Sequence, residues 1–329
     1  MSTQKFRFVL ALLAALPASY PVPASPASLE GPRMGMFFDS SIRGLRPILG
    51  IPGAAIMGDP FETELDLRRV SISPQQDYAL ASQGDHNEIV VLRFDRAAMT
   101  STPVPGTHRG PDQMVFSPEG RVAAVHYKDR NRIQVLSGLP ASPKVVDELY
   151  LTGSALPSAL AVGDDNTVLV GVRTSVFWVT RSGEVPVLTG LRKVSAITLQ
   201  SARLALVADA TTNQIHRLQN LTSALETDIL AGPAQGIAAP VAVAVSSDGR
   251  QAFAANGKSG TVAILDLQGK APVRKVACGC NLTGLDRLDG DNLFRLTEPS
   301  NRPMWVLEAN AKETRVVFVP AAMAQSSAK

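Results

Sequence analysis

A β-propeller, a ring of four-stranded antiparallel blades, is the fold class this sequence predicts. Three observations predict it: matching turns recur about every 40 residues, the inner apolar runs have no polar face, and sustained helical periodicity is absent. Aromatic residues are 5% of the 329-residue chain and hydrophobic residues 45%. That balance suits many short, closely packed strands better than a few large amphipathic helices.

The repeat is defined by where the first apolar run of each unit ends. "RRVSIS", "QMVFS", "SALAVG", "VSAITLQ", "VAVAVS" and "LTGLDRL" end at Ser73, Ser117, Gly163, Gln200, Ser246 and Leu288. Consecutive ends are 44, 46, 37, 46 and 42 residues apart. A tight turn follows each, as in Pro118-Glu119-Gly120, Asp164-Asp165-Asn166 and Ser247-Asp248-Gly249. Such residues accept the positive φ that short hairpins need. A second run comes next ("YALAS", "RVAAVHY", "TVLVGV", "RLALVAD", "RQAFAAN", "NLFRLT"), then a polar turn and a third ("IVVLRFD", "IQVLSG", "VFWVT", "IHRLQN", "VAILDL", "MWVLEA"). A fourth closes most units ("VVDELYL", "VPVLTG", "TDILAG", "VRKVACG", "RVVFVP"). Runs such as "VAVAV" and "AAV" leave no face for water, which favours radially packed sheets over a sandwich with one wet side.

Ring closure involves the N-terminal part. Within residues 36–58, "MFFDS" and "LRPILG" resemble the third and fourth strands of a unit, and "AAIMG" follows. Six full units plus this part favour seven blades over six, with strands from the two chain ends removing the open edges. The expected organisation is a leader at 1–27, a linker at 28–35, one propeller domain at 36–320 and a flexible tail at 321–329.

The leader reading rests on Lys5 and Arg7, the apolar run "FVLALLAALPA" and the small residues before Ala24 and Ala27. This is the pattern of a secretory signal peptide cleaved after one of those alanines. The run is too short to span a bilayer, which takes about 20 apolar residues. The expected mature protein is exported, periplasmic or extracellular, without a membrane span, and monomeric. The whole chain carries +3, and loss of Lys5 and Arg7 with an acid-free leader leaves +1. No basic stripe remains, which argues against nucleic acid as a partner.

"PVAVAVSSDGRQAFAANGKSGTVAILDL" (Pro240 to Leu267) resembles one repeat of the YVTN family of β-propellers. The match is carried by Pro240, Val243 to Ser246, Asp248, Gly249, Ala255, Asn256, Ser259 and Val262 to Asp266. Ser247 replaces the family's proline, and Phe253-Ala254 replaces its Tyr-Val. The resemblance implies the propeller fold and little about activity, because such rings host unrelated functions.

Residues that do chemistry are sparse. Cys278 and Cys280 are the only cysteines, and three readings stand: a disulfide, two unpaired packing residues, or half of a metal or redox site. His86, His108, His126 and His216 fall in a turn, between blades, in a second strand and in a third strand, without zinc-motif spacing. His126 is a candidate for the central channel. Gly257-Lys258-Ser259 ends like a phosphate loop, but Ala252 stands where that loop needs glycine. "DRLDGDN" and "GDDN" are acidic turns whose hairpin role explains them without Ca²⁺. No nucleophile elbow occurs. Trp178 and Trp305 lie in third strands. Asn220 and Asn281 begin glycosylation acceptor patterns, relevant only in a eukaryotic secretory pathway.

The polar residues near strand ends, where propeller ligands sit, are Asp85, His86, Asp129, Arg130, Asp209, Asn256, Arg295 and Glu298. These are the expected ligand-binding residues, with no catalytic or metal-binding residue and no cofactor expected. The function that follows is an exported, non-catalytic scaffold for a protein, peptide or cell-envelope glycan, bound by inter-blade loops or the central channel. The alternatives are a metal-dependent, lactonase-like hydrolase and an accessory subunit of a redox complex.

Overall fold

Side chains along a strand point alternately to its two faces, so a run that is apolar at every position must be covered on both. The structure, a computed structural model, describes residues 31–321 apart from 62, 95–98, 153–155, 202, 299–301 and 311–313. The leader, the linker up to residue 30 and residues 322–329 of the tail lie outside the described residues.

The first blade holds β1 (Arg33–Asp39), β2 (Gly44–Ile51) and β3 (Ala54–Met57). The second holds β4 (Leu67–Ile72), β5 (Tyr78–Gln83), β6 (Glu88–Phe94) and β7 (Met99–Pro103). The third holds β8 (Gln113–Phe116), β9 (Val122–Tyr127), β10 (Arg132–Ser137) and β11 (Lys144–Tyr150). The fourth holds β12 (Ala159–Val162), β13 (Val168–Val172), β14 (Ser175–Thr180) and β15 (Gly183–Leu188). The fifth holds β16 (Val194–Ser201), β17 (Leu204–Asp209), β18 (Gln214–Gln219) and β19 (Glu226–Ala231). The sixth holds β20 (Pro240–Val245), β21 (Gln251–Asn256), β22 (Thr261–Asp266) and β23 (Arg274–Ala277). The seventh holds β24 (Asp286–Arg287), β25 (Leu293–Arg295), β26 (Met304–Ala309) and β27 (Thr314–Val319). Every sheet is a simple antiparallel meander, six of four strands and the first of three. The chain is a seven-bladed β-propeller.

Burial explains why the ring must close. Seven apolar clusters among the described residues each draw on two successive blades, and one of them joins the seventh blade to the first. The sixth blade shows the alternation plainly. Ala252 and Ala254 of β21 pack toward the fifth blade, while Phe253 and Ala255 pack toward the seventh. Rings add to these contacts: Phe253 meets Phe294 at 5.1 Å between centroids, and Tyr78 meets Phe116 edge-on at 5.3 Å. Ala252 and Ala254 present small side chains to the fifth blade, while Phe253 beside Ala255 fills the space against the seventh.

The hairpins between first and second strands close where the repeat places them. The amides of Ser73, Ser117, Gly163, Ser246 and Leu288 donate to the carbonyls of Tyr78, Val122, Thr167, Gln251 and Leu293. The fourth turn residue has a left-handed backbone: φ is 61° at Gln76, 71° at Gly120, 69° at Asn166 and 71° at Gly249. A Cβ at Gly249 would also lie 2.6 Å from Gln200 Nε2.

The first blade departs from the expected register in two ways. β1 begins at Arg33, inside the stretch expected to be linker. Its hairpin with β2 carries Arg43 at φ 51°, matching Asn87, Asn131, Arg173 and Asn213 in the turns between second and third strands. Accordingly "MFFDS" and "LRPILG" occupy second and third places, one place further in than their resemblance implied. β1 is buried like the second strands, touches β4, and β3 touches β27. Among the described residues the inner place of this blade holds no strand.

Gln76 bridges that place. It is 3% exposed, its Oε1 accepts from the Met36 amide at 2.6 Å, and its Nε2 donates to the Arg287 carbonyl at 2.7 Å. Beside it, the Asp289 amide donates to the Met34 carbonyl at 2.8 Å. One side chain thus links the second blade to the first and the seventh. Its turn position is held by glycine in the third and sixth blades, so the link is made despite a backbone conformation that disfavours side chains.

Two stability predictions follow from this closure. Gln76→Ala leaves two buried backbone groups unpaired and is expected to cost about 2–4 kcal/mol in urea unfolding. Gln76→Gly, despite relieving the backbone, should remain less stable than the unaltered protein. Gly249→Val should cost about 1–3 kcal/mol; an unchanged melting temperature would contradict the turn geometry.

Candidate functional site

Inner strands of a propeller lie at one end of their sheets, so one edge of each faces the axis. The structure places β8, β12, β16, β20 and β24 at sheet ends, and they surround a cavity of about 790 Å³. Its wall includes Val115, Leu160, Ile197, Val243 and Leu285, together with Phe116, Thr198 and Phe294. Its mouth is the face of the first-to-second-strand turns, where Glu119, Asp164, Ser246, Ser247, Asp289 and Asp291 lie.

Among the described residues Arg287 is the only basic one lining this cavity. Its Nη2 donates to the Val245 carbonyl at 2.7 Å, and its guanidinium lies over the Phe294 ring, 5.1 Å from the centroid. Among the described residues no carboxylate comes within salt-bridge distance of it. Burial draws its pKa below the usual arginine value, and Asp291 opposes the shift. At neutral pH it stays a cation. The mouth has the opposite sign. Glu119 is paired with Arg121 at 2.5 Å, and Asp164 accepts from Ser117 Oγ at 2.6 Å. Asp291 accepts from Ser247 Oγ at 3.4 Å, and both Asp289 and Asp291 are exposed.

The expected ligand-binding residues gather on the opposite face, at the ends of second strands and in the turns after them. Asp85 and His86 are exposed in the turn between β5 and β6, beside a cleft of about 330 Å³. Three carboxylates of that cleft are paired: Asp66 with Arg43 and Arg68, Asp85 with Arg68, and Glu88 with Arg109. Asp129 and Arg130 are exposed in a single 3₁₀ turn after β9. Arg295 pairs with Asp286 at 2.6 Å and with Glu298 at 3.4 Å.

Asp209 and Asn256 are fully buried and tie down inter-blade connections. Asp209 accepts from the amides of Arg192, Lys193, Thr211 and Thr212. Burial pushes its pKa up, but those amides outweigh it, and the net shift is downward. Asn256 Oδ1 accepts from the Ala238 amide at 3.0 Å, and its Nδ2 donates to the Gly236 carbonyl.

A second polar constellation lies on this face in the third blade. His108 Nε2 and Glu148 Oε1 are 2.9 Å apart, with Arg132 Nη1 at 2.5 Å from the same oxygen. The hydrogen bond from His108, then that from Arg132, holds Glu148 below the usual carboxylate range against its burial. His126 is buried in β9 and does not line the central cavity. No group of three or more His, Cys, Asp or Glu side chains is placed to hold a metal among the described residues. Cys278 and Cys280 form a disulfide across Gly279, at the end of β23 and packed in the cluster between the sixth and seventh blades.

Sequence reasoning missed Gln76 and Arg287. The available signals were a glutamine where the turns of the third and sixth blades carry glycine, and a basic residue next to Asp286 inside a first-strand run bounded by Leu285 and Leu288.

No protein-family model and no curated protein matches this chain. Several solved structures share its fold. Virginiamycin B lyase from Staphylococcus aureus aligns with a TM-score of 0.56 at 14% identity, covering 78% of this chain and 85% of that one. A functionally unknown protein from Desulfotomaculum acetoxidans aligns with a TM-score of 0.59 at 12% identity, covering 88% and 100%. A streptogramin B lyase aligns with a TM-score of 0.54 at 16% identity, covering 84% and 87%. At these identities the likeness is one of fold.

A pH prediction comes from the two inner histidines. Burial lowers the pKa of His126 against the pull of Asp112, and that of His216 against Asp209 and Asp228. The unfolded chain takes up these protons near pH 6.5, while the fold resists them. Stability should therefore be level at neutral pH and fall as pH drops below about 6.5. Glu148 and Asp209, whose pKa values are lowered, add a separate loss only below about pH 4.5. The double variant His126→Gln/His216→Gln should flatten the first slope in denaturant titrations and leave the second.

Proposed function

We propose that this protein is a non-catalytic binding scaffold, and that its ligand enters the central channel. The carrying observation is the cavity of about 790 Å³ walled by inner-strand edges. Its size falls in the range of about 300–1,000 Å³ typical of ligand pockets. Among the described residues the wall offers shape, apolar surface and one guanidinium, but no histidine or cysteine. Catalysis of acyl transfer or hydrolysis needs a positioned base, nucleophile or metal. The four carboxylates at the mouth are spread over three blades, an arrangement suited to a local field rather than to coordination.

In this reading the ligand is a protein segment, peptide or envelope glycan, and the leader pattern of residues 1–27 supports an address outside the cytoplasm. The inter-blade face with Asp85, His86, Asp129, Arg130, Arg295 and Glu298 supplies a second exposed surface for a macromolecular partner. An accessory role in a redox complex has only the Cys278–Cys280 pair in its favour.

An enzymatic reading is favoured by one observation, the fold likeness to the two lyases. A further structure of the S. aureus lyase is a catalytically inactive histidine-to-alanine variant with quinupristin, at 14% identity and a TM-score of 0.55. That protein's activity depends on a histidine, and among the described residues the cavity wall here has none.

Two measurements test the proposal. Purified protein should leave quinupristin unchanged, with or without added divalent cations, when followed by mass spectrometry; enzyme-dependent turnover would replace the scaffold reading. The neutral apolar dye Nile red should bind with a stoichiometry near one, and Thr198→Trp in the channel wall should abolish binding. Uptake unaffected by that variant would remove the channel from the proposal.

A further inference from the structure

We infer that the channel receives the C-terminal end of a peptide, whose carboxylate is bound by Arg287. This rests on the binding-scaffold reading above and specifies the ligand's chemistry. Three features of the site converge on it.

The first is Arg287 itself. A guanidinium has five N–H donors in a planar fork that matches a carboxylate. One nitrogen is committed to the Val245 carbonyl and the face is laid over Phe294. Those two contacts hold the group rigid without neutralising it. A cation kept in a half-buried wall with no carboxylate partner stays short of its strongest hydrogen bonds, and an incoming anion supplies them.

The second is the wall. Val115, Leu160, Ile197 and Val243 present apolar side chains, while β8, β12, β16 and β20 turn an unpaired backbone edge toward the axis. A ligand that carries both apolar side chains and amide groups satisfies such a lining. A simple fatty acid covers the side chains and leaves the edge amides and carbonyls without partners. A neutral glycan does not use the guanidinium.

The third is the sign of the mouth. Asp289 and Asp291, in the turn that follows β24, are exposed on the cavity rim with Glu119 and Asp164. A ligand with several negative charges is repelled there. A peptide with one carboxylate at its end and a basic residue further back places opposite charges against both the rim and Arg287.

The test uses the full mature chain and a fluorescein-labelled peptide that has lysine near its N-terminal end and terminates in Leu-Val. Anisotropy titration with the free acid and with its C-terminal amide is the primary measurement. The acid should bind about tenfold or more tightly, the discrimination expected of a charge-assisted, bidentate contact. Arg287→Gln should bring the acid down to the affinity of the amide. Arg287→Lys should retain part of the preference, and Arg250→Gln, outside the channel wall, should retain all of it. Melting curves of each variant report folding, and the acid–amide comparison on the unaltered protein stands even if an Arg287 variant misfolds.

Equal binding of acid and amide overturns the role of Arg287. Octanoate binding as tightly as the peptide overturns the peptide assignment in favour of apolar carboxylates at large. Binding of neither peptide overturns the inference; if Nile red still enters the channel, the scaffold reading survives that failure, and if it does not, both fall together.

Discussion

Every blade of this protein is apolar on both faces, and that single constraint dictates the rest of the architecture. A sheet of this kind has no stable solvated side, so each must be sandwiched between two others. Stacking in a line would always leave two exposed faces. Closing the stack into a circle leaves none, and seven blades complete it here with an apolar cluster at each junction.

Circularity creates a difficulty where the chain begins and ends. The first blade contributes second, third and fourth strands, so the amide of Met36 and the carbonyl of Arg287 face a place that its described strands do not fill. Gln76 meets both at once, since its amide has a donor and an acceptor at the same reach. That position lies in a turn whose backbone favours glycine. A local preference is overridden because two buried backbone groups cost more unpaired than one left-handed residue costs in strain. The closure is therefore polar and specific at the axis, and apolar and general further out, where Met34, Phe37 and Ile48 pack against Leu293, Met304 and Val306.

The same geometry produces the channel. Inner strands cannot pair across the axis because the wedge-shaped blades hold them apart, and their free edges surround a cavity instead. Among the described residues its one basic lining residue, the half-buried Arg287, lies in the seventh blade's first strand, adjacent to the closure that Gln76 makes, and its acidic mouth is shared by the third, fourth and seventh blades. Residues on the opposite face are employed differently. Asp209 and Asn256 hold connections between blades, Arg295 is paired with two carboxylates, and Asp85, His86, Asp129, Arg130 and Glu298 stand exposed.

The blade repeat was legible from residue types alone, because alternation, turn chemistry and spacing are local properties. The positive φ at Gly120, Asn166 and Gly249, the hairpin ends at Ser117, Gly163 and Ser246, and the seven-blade count all follow from patterns within about 45 residues of chain. The place of the first blade's strands did not, since "MFFDS" fits a second or a third strand equally well until β4 and β27 are beside it. Nor did the partners of Gln76, which lie 40 and 211 residues away in the chain. Arg287 reads in the sequence as one more charge near a turn; its own hairpin sets it over Phe294, and only the ring brings the Val245 carbonyl of the preceding blade against it. Local chemistry decided what each blade is, and long-range closure decided which of its side chains line the central cavity, because contacts across a ring are made between residues that the chain keeps far apart.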